Sequence, residues 1–353
     1  MENIDLYQVP KDLPVRNAIK VLDGGGIGFI VIVDIDNTVI GVVTDGDLRR
    51  AILSGVDLSC GVLEVANRNF VYIDIGYEEA EVENILRNTL IKHIPVLAKG
   101  RLVNIITEES FFKLKVGKTV VEKQINCPVV IMAGGNGTRL DPFTRILPKP
   151  LIPIGNKAMI EVIMDEYSKF GVSKFYVSVF HKEKMMRAYF DNDFPYEIEF
   201  LTEDEPLGTA GALKYLDHKI ESPFFVSNCD IIIKDDYRHI LEFHLHGNYA
   251  LTLVGSMQHH SIPYGVCEIE NGGELKRITE KPHYDFLVNT GMYLLNPDVL
   301  SFIPQNEFFH ITDLISVLLH KGISVGVYPV SEKSYIDVGE WGEYKKALKL
   351  LSW

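Results

Sequence analysis

Two stretches of this sequence combine residue types that handle phosphate. From Val129 the chain reads VVIMAGGNGTRL, an apolar run that opens into a glycine-rich turn and finishes on a cation. Glycines let the backbone approach a phosphate or a base closely, and their free N–H groups are donors. Ala133, Gly134, Gly135, Gly137 and Thr138 line such a turn, and the planar fork of Arg139 suits phosphate oxygens. Ten residues further on, Lys149 stands between Pro148 and Pro150, on a stiff segment that loses little entropy when a ligand binds. Each stretch alone has an ordinary reading, as a turn after a strand and as an exposed lysine in a proline-rich loop. The turn is not a P-loop, because G-K-[ST] is absent, and its spacing does not match G-x-G-x-x-G.

From Cys127 onward strands and helices alternate in the pattern. Strands are expected at 129–132, 175–179, 198–201, 224–227 and 251–255, and helices at 159–170, 182–190, 210–216 and 237–246. That alternation argues for an α/β fold with a doubly wound, mostly parallel sheet. A more β-rich stretch follows at 265–295, with a hairpin turn at Asn271-Gly272-Gly273. Helix 314–319 reads as core. Ligands in such folds sit at the C-terminal ends of the strands, where the phosphate-handling stretches fall.

The two stretches together read G-G-N-G-T-R-L-x-P-x-T-x-x-x-P-K-P. This resembles the signature of the sugar-1-phosphate nucleotidyltransferases (nucleoside-diphosphate-sugar pyrophosphorylases), whose catalytic domain is Rossmann-like. Further segments match that family in order over about 220 residues. The resemblance gives EDEPLGTAG, with Glu203, Gly208 and Thr209, a part in reading the base. In SNCD it makes Asp230 a Mg²⁺ ligand, with Cys229 where the family more often has glycine. E-K-P, with Glu280 and Lys281, touches the sugar and its phosphate, and the resemblance adds Gly265. V-N-T-G, with Asn289 and Thr290, closes over the sugar hydroxyls. I-D-V-G-E-W supplies a second metal-binding aspartate, Asp337. Any one of these carboxylates alone reads better as a solvated loop residue or a helix cap.

The reaction so implied needs charge neutralisation and in-line positioning rather than a general base, because the attacking phosphate is already anionic. Asp230 and Asp337 suit Mg²⁺, which prefers oxygen ligands. Arg139 would stabilise the departing pyrophosphate, while Lys149 and Lys281 hold the sugar phosphate. Glu203 bears on the base: a carboxylate can accept from the adjacent N1–H and N2 donors of guanine. GTP is therefore the favoured donor; a hexose 1-phosphate acceptor is what the family resemblance implies. The E-x-x-P-L-G-T-A-G form resembles guanylyltransferases acting on hexose 1-phosphates, and its fusion behind an N-terminal repeat resembles the glucosamine-1-phosphate enzymes of bacterial legionaminic acid pathways. Mannose- and heptose-1-phosphate guanylyltransferases and UTP- or dTTP-dependent relatives stay open. So does a nucleotide-sensing regulator with an inactive transferase fold, although Arg139, Lys149, Asp230 and Asp337 are all present. A scaffold in a glycan-assembly complex is the third reading.

The first 115 residues or so carry a weak internal repeat. Helical stretches at 16–22 and 78–88 each precede a pair of strands, at 29–33 and 39–43, then at 93–97 and 102–106. Neither copy can bury its own apolar face, so the two should pack as a pseudo-dimer. The repeat resembles an α+β CBS-domain pair (a Bateman module), which implies a regulatory nucleotide with its ribose on Thr44 and Asp47. Thr107-Glu108-Glu109-Ser110 lacks the matching aspartate, and a purely structural or oligomer-forming module is the other reading. The expected domains are 1–118 for the pair, 119–126 for a linker and 127–353 for the transferase.

A net charge of −13 argues against a broad nucleic-acid surface. The four cysteines, Cys60, Cys127, Cys229 and Cys267, show no C-x-x-C pairing, as expected in a reducing cytoplasm. No basic-then-apolar leader and no membrane-length apolar run is seen, so a soluble cytoplasmic protein is expected, with homo-oligomerisation open. His244 and His246, and His259 and His260, read as solvated or packed histidines without the carboxylate company a metal needs.

Overall fold

In the computed structural model the chain divides into two compact units, Met1–Val121 and Glu122–Trp353. The structure describes residues 4–350 apart from 26, 90, 109, 112–123, 136 and 192–193. The expected linker lies mostly outside the described residues. Its described end belongs to the second unit, where Ile125 is buried and donates its N–H to Phe170 O at 2.8 Å.

In the first unit the repeat is a repeat of topology. Strand Gln8–Pro10 runs parallel to Phe29–Val33, which pairs antiparallel with Val39–Thr44; helix Val15–Gly25 makes the crossover. In the second copy Ile73–Asp74 runs parallel to His93–Ala98, which pairs antiparallel with Arg101–Thr107, and helix Glu79–Asn88 crosses over. Phe29–Val33 is buried throughout because its two faces serve two cores. Ile30 and Ile32 pack with Val15, Ala18 and Leu22 of their own copy. Phe29, Val31 and Val33 pack with Leu97 and Leu102 of the other. Each copy therefore completes its core on its neighbour.

The second unit is built on one sheet. Its strands are β1 (Val129–Met132), β2 (Lys174–Val179), β3 (Glu197–Thr202), β4 (Phe224–Asn228), β5 (Leu251–Ser261), β6 (His283–Leu295) and β7 (Val325–Val330). They lie in the order β3-β2-β1-β4-β6-β5-β7. The first four are parallel, β6 is antiparallel to both neighbours, and β7 is parallel to β5. The expected mostly parallel, doubly wound α/β class is the one observed. The apolar run of β1 reflects burial on both faces. Val129 and Ile131 pack on Met159, Ile160 and Ile163 of helix Met159–Ser168. Val130 and Met132 share the opposite layer with Leu213, Leu216, Leu314 and Leu318.

Two expectations shift in detail. The helix expected at 210–216 is a 3-10 segment, Gly211–Leu216, whose first N–H groups are tied to the Phe309 carbonyl. The β-rich stretch is an exposed hairpin, Val266–Ile269 with Leu275–Thr279, turning at Asn271–Gly273 and leading into β6. Strand order reverses between β1 and β4, a switch point of the kind at whose C-terminal strand ends ligands bind in such sheets.

Candidate active site

The turn after β1 is shaped by what lies beneath it. Ala133 donates its N–H to Ser178 O on β2 at 3.0 Å. A side chain on Gly134 would put its Cβ 2.7 Å from Glu203 Oε1, so a larger residue there must displace that carboxylate. Glu203 follows β3 and is 6% exposed. Its Oε1 accepts from the Ser178 hydroxyl and its Oε2 from Leu207 N–H at 2.9 Å. Burial raises its pKa, and those two hydrogen bonds oppose the rise. Gly135 and Thr138 are exposed on the open side of the turn. Gly137 has φ +66°, and a Cβ on it would sit 2.8 Å from Lys149 Cβ. The turn therefore lies directly over Lys149.

Lys149, which alone would read as an exposed loop lysine, is 8% exposed. Its Nζ pairs with Oδ2 of Asp230, itself 8% exposed. Strand pairing brings the second carboxylate in: Ile231–Ile233 runs antiparallel to Tyr335–Asp337 with Ile231 opposite Asp337, and Val338 N–H donates to Asp230 O at 2.8 Å. Asp337 Oδ1 accepts from Gly339 N–H at 2.7 Å, and the Tyr335 hydroxyl reaches Oδ2 at 3.4 Å. All three side chains meet at one point. A Cβ on Gly339 would lie 2.5 Å from Asp230 Oδ2, 2.9 Å from Asp337 Oδ1 and 3.2 Å from Lys149 Nζ. Burial raises the pKa of Asp337 and the charge of Asp230 raises it further, against the Gly339 N–H, Lys149 and Arg139. Arg139 sits at the exposed rim, with Nη1 3.3 Å from Glu340 Oε1.

Other candidates are engaged in the framework. Gly208 (φ +78°) and Thr209 are strapped to helix Ile311–His320; Thr209 Oγ1 accepts from Ile311 N–H at 3.0 Å and lies 3.3 Å from His310 Nδ1. The Thr290 hydroxyl donates to Val254 O at 2.8 Å within the sheet, whereas Asn289 is exposed and donates to the Tyr293 hydroxyl at 2.7 Å. Gly265 packs on Glu280, where a Cβ would meet Oε2 at 2.9 Å, and Lys281 is exposed on the same arm. In the first unit Thr44 and Asp47 cap helix Asp45–Leu53 reciprocally, Thr44 N–H donating to Asp47 Oδ2 at 2.8 Å and Asp47 N–H to Thr44 Oγ1 at 3.2 Å. Thr107 and Ser110 form the same cap in the second copy, with a hydroxyl replacing the carboxylate.

Sequence reasoning missed two residues that hold the phosphate-facing loop. Lys182 donates to Thr144 O at 2.5 Å and Leu147 O at 3.4 Å. Trp341 donates its indole N–H to Asp141 O at 2.8 Å and lies 5.1 Å from the Phe143 ring. Trp341 is the last residue of the I-D-V-G-E-W segment, which was the available signal for it; Lys182 carried none. One expectation is corrected. His259 does have carboxylate company, with Nδ1 2.6 Å from Asp285 Oδ1 across the β5–β6 ladder, because pairing joins residues far apart in sequence. His244 is packed between Thr252 and Asn296. Among the described residues, no three His, Cys, Asp or Glu side chains converge on a metal position.

Comparison with known proteins identifies the family of the second unit. The model of the family described as nucleotidyl transferase matches residues 128–352. The chain belongs to that nucleotidyl transferase family. The CBS domain model matches residues 2–54, the first copy of the repeat. The mannose-1-phosphate guanyltransferase of Yarrowia lipolytica is 36% identical over 184 residues, 49% of this chain and 50% of that one. Its Aspergillus fumigatus counterpart is 38% identical over 183 residues, 48% and 50% of the two chains. The chain thus spans about half the length of the curated relatives it matches. Among solved structures, HddC from Yersinia pseudotuberculosis is 28% identical with a TM-score of 0.51, covering 64% of this chain and 99% of that one. HddC complexed with GMP-PN gives 26% and 0.50, covering 64% and 99%. Among the described residues no helix is long and apolar enough to cross a membrane.

Proposed function

We propose that the chain transfers a nucleotidyl group, GMP from GTP, to a hexose 1-phosphate and releases pyrophosphate. One observation carries this reading: Lys149, Asp230 and Asp337 converge on Gly339 beneath the glycine-rich turn. In the reaction an oxygen of the sugar phosphate bonds to the α-phosphorus while the bond from that phosphorus to the pyrophosphate oxygen breaks. The attacking oxygen needs no base, so the protein's task is alignment and charge neutralisation. Lys149 and Lys281 hold the sugar phosphate and Arg139 meets the leaving pyrophosphate. Asn289, Glu280 and Gly265 border the sugar, and Thr290 fixes the strand behind Asn289.

The carboxylate pair fits Mg²⁺, a hard cation that binds one or two protein carboxylates and completes its shell with water and substrate phosphates. Burial, and then the charge of Asp230, raise the Asp337 pKa, and a bound cation would favour the ionised carboxylate against both. Bound there, Mg²⁺ supplies charge neutralisation of the phosphate oxygens.

GTP is supported by the relatives named mannose-1-phosphate guanyltransferases and by the GMP-PN complex of HddC. Glu203 supports it chemically, since each carboxylate oxygen already bound to one protein donor keeps a further acceptor position. Mannose 1-phosphate is the first acceptor to test, after those relatives, and glucosamine 1-phosphate the second. The repeat at 1–118 is read as a regulatory module for a nucleotide, and the whole as a cytoplasmic enzyme. Asp230→Asn and Asp337→Asn, each measured in Mg²⁺, should lower turnover at least about a hundredfold with circular dichroism unchanged. Either variant retaining more than half the activity removes that residue from the site.

A further inference from the structure

Arg139 is held by a carboxylate whose backbone is itself pinned to the site. Its Nη1 lies 3.3 Å from Glu340 Oε1, with the two side chains 62% and 59% exposed. Glu340 has fixed neighbours on both sides. Gly339 is wedged against Asp230, Asp337 and Lys149. Trp341 donates to Asp141 O at 2.8 Å and packs on Phe143 at 5.1 Å. One turn on, the Tyr344 hydroxyl donates to Pro153 O at 2.6 Å. Arg139 is equally confined, between Gly137 on Lys149 and the buried Leu140. Both backbones are set, and only the two exposed side chains are free to part.

We propose that Glu340 is a competing counter-ion for Arg139, a positioning residue that holds the guanidinium at the rim and yields it to the polyphosphate end of a triphosphate or to pyrophosphate. The proposal rests on the reading of Arg139 as the pyrophosphate contact. Exposed ion pairs are weak, so the exchange meets little resistance. A polyphosphate offers the same guanidinium more charge and a bidentate set of acceptors. After the exchange the Glu340 carboxylate stays beside the bound phosphates and repels them. Glu340 therefore weakens polyphosphate binding and favours departure of pyrophosphate.

The test is calorimetric titration of inorganic pyrophosphate into the full chain bearing Glu340→Gln, Arg139→Gln or both. Glu340→Gln should bind pyrophosphate about threefold to tenfold more tightly than wild type, the range set by losing one exposed pair and one nearby repulsion. Arg139→Gln should bind it about tenfold more weakly, and in that background Glu340→Gln should gain less than half of its effect. Glu340→Gln binding pyrophosphate no more tightly than wild type overturns the proposal. So does an equal gain in both backgrounds, which would make Glu340 a general negative charge acting without Arg139. If Arg139→Gln leaves binding unchanged, it is the reading of Arg139 that fails.

Discussion

Replacing Gly339 by alanine adds one carbon at the point where the proposed catalytic groups meet. The backbone tolerates the change, because Gly339 lies outside the left-handed region that favours glycine. The new Cβ would stand 2.5 Å from Asp230 Oδ2 and 2.9 Å from Asp337 Oδ1, closer than real Cβ atoms come. Reaching the 3.4 Å of ordinary contact requires Asp230 Oδ2 to move by about 0.9 Å. Asp230 is buried and paired with Lys149, so that displacement also disturbs the lysine. Misplacement on the order of 1 Å costs about a hundredfold in rate when catalysis rests on positioning. Overpacking costs roughly 1–3 kcal/mol of stability, a fall of several degrees in Tm for a unit of this size. Gly339→Ala should therefore fold, melt slightly lower and release pyrophosphate about a hundredfold more slowly at saturating GTP, sugar phosphate and Mg²⁺. A folded variant with more than half of wild-type turnover would show that the three side chains do not act as a cluster.

Two further predictions concern other parts of the chain. Glu203→Gln should lower kcat/KM about tenfold for GTP and less for ITP, which lacks the 2-amino group; parallel losses for both would make Glu203 only the partner of Ser178 and Leu207. His93 stacks on Phe29 at 5.0 Å, and burial lowers its pKa from 6.5 to about 4. The folded state thus keeps His93 neutral while the unfolded chain takes up a proton, so stability is full above pH 6.5 and falls as the pH drops toward 4. His93→Phe should flatten that acid slope in thermal melts of the full chain, and an unchanged slope would contradict the assignment.

The sheet was readable because parallel strands buried on both faces leave unbroken apolar runs, as in β1. The phosphate turn was readable because Gly134 and Gly137 are favoured by side chains pressed beneath them. What lay beyond the sequence was set by long-range pairing. The cross-strand ladder that seats Asp285 on His259, and the Lys182 ammonium holding the Thr144 carbonyl, join residues with no local pattern in common. Thr209 and Thr290 show the converse. Their family segments mark where they sit, but their hydroxyls are engaged by Ile311 N–H and Val254 O. The burial of Lys149 follows from Asp230, which only the fold brings beside it.

The joining of a nucleotide to a sugar 1-phosphate is the activity proposed for this chain. It is tested most directly by incubating the full chain with Mg²⁺, each of GTP, ATP, UTP, CTP and dTTP, and a panel of hexose 1-phosphates that includes mannose and glucosamine. Pyrophosphate and the nucleotide sugar are both quantified. Equimolar pyrophosphate and GDP-sugar are expected, greatest with GTP and dependent on the sugar phosphate. No product with any pair, or pyrophosphate release that continues without a sugar phosphate, would contradict it.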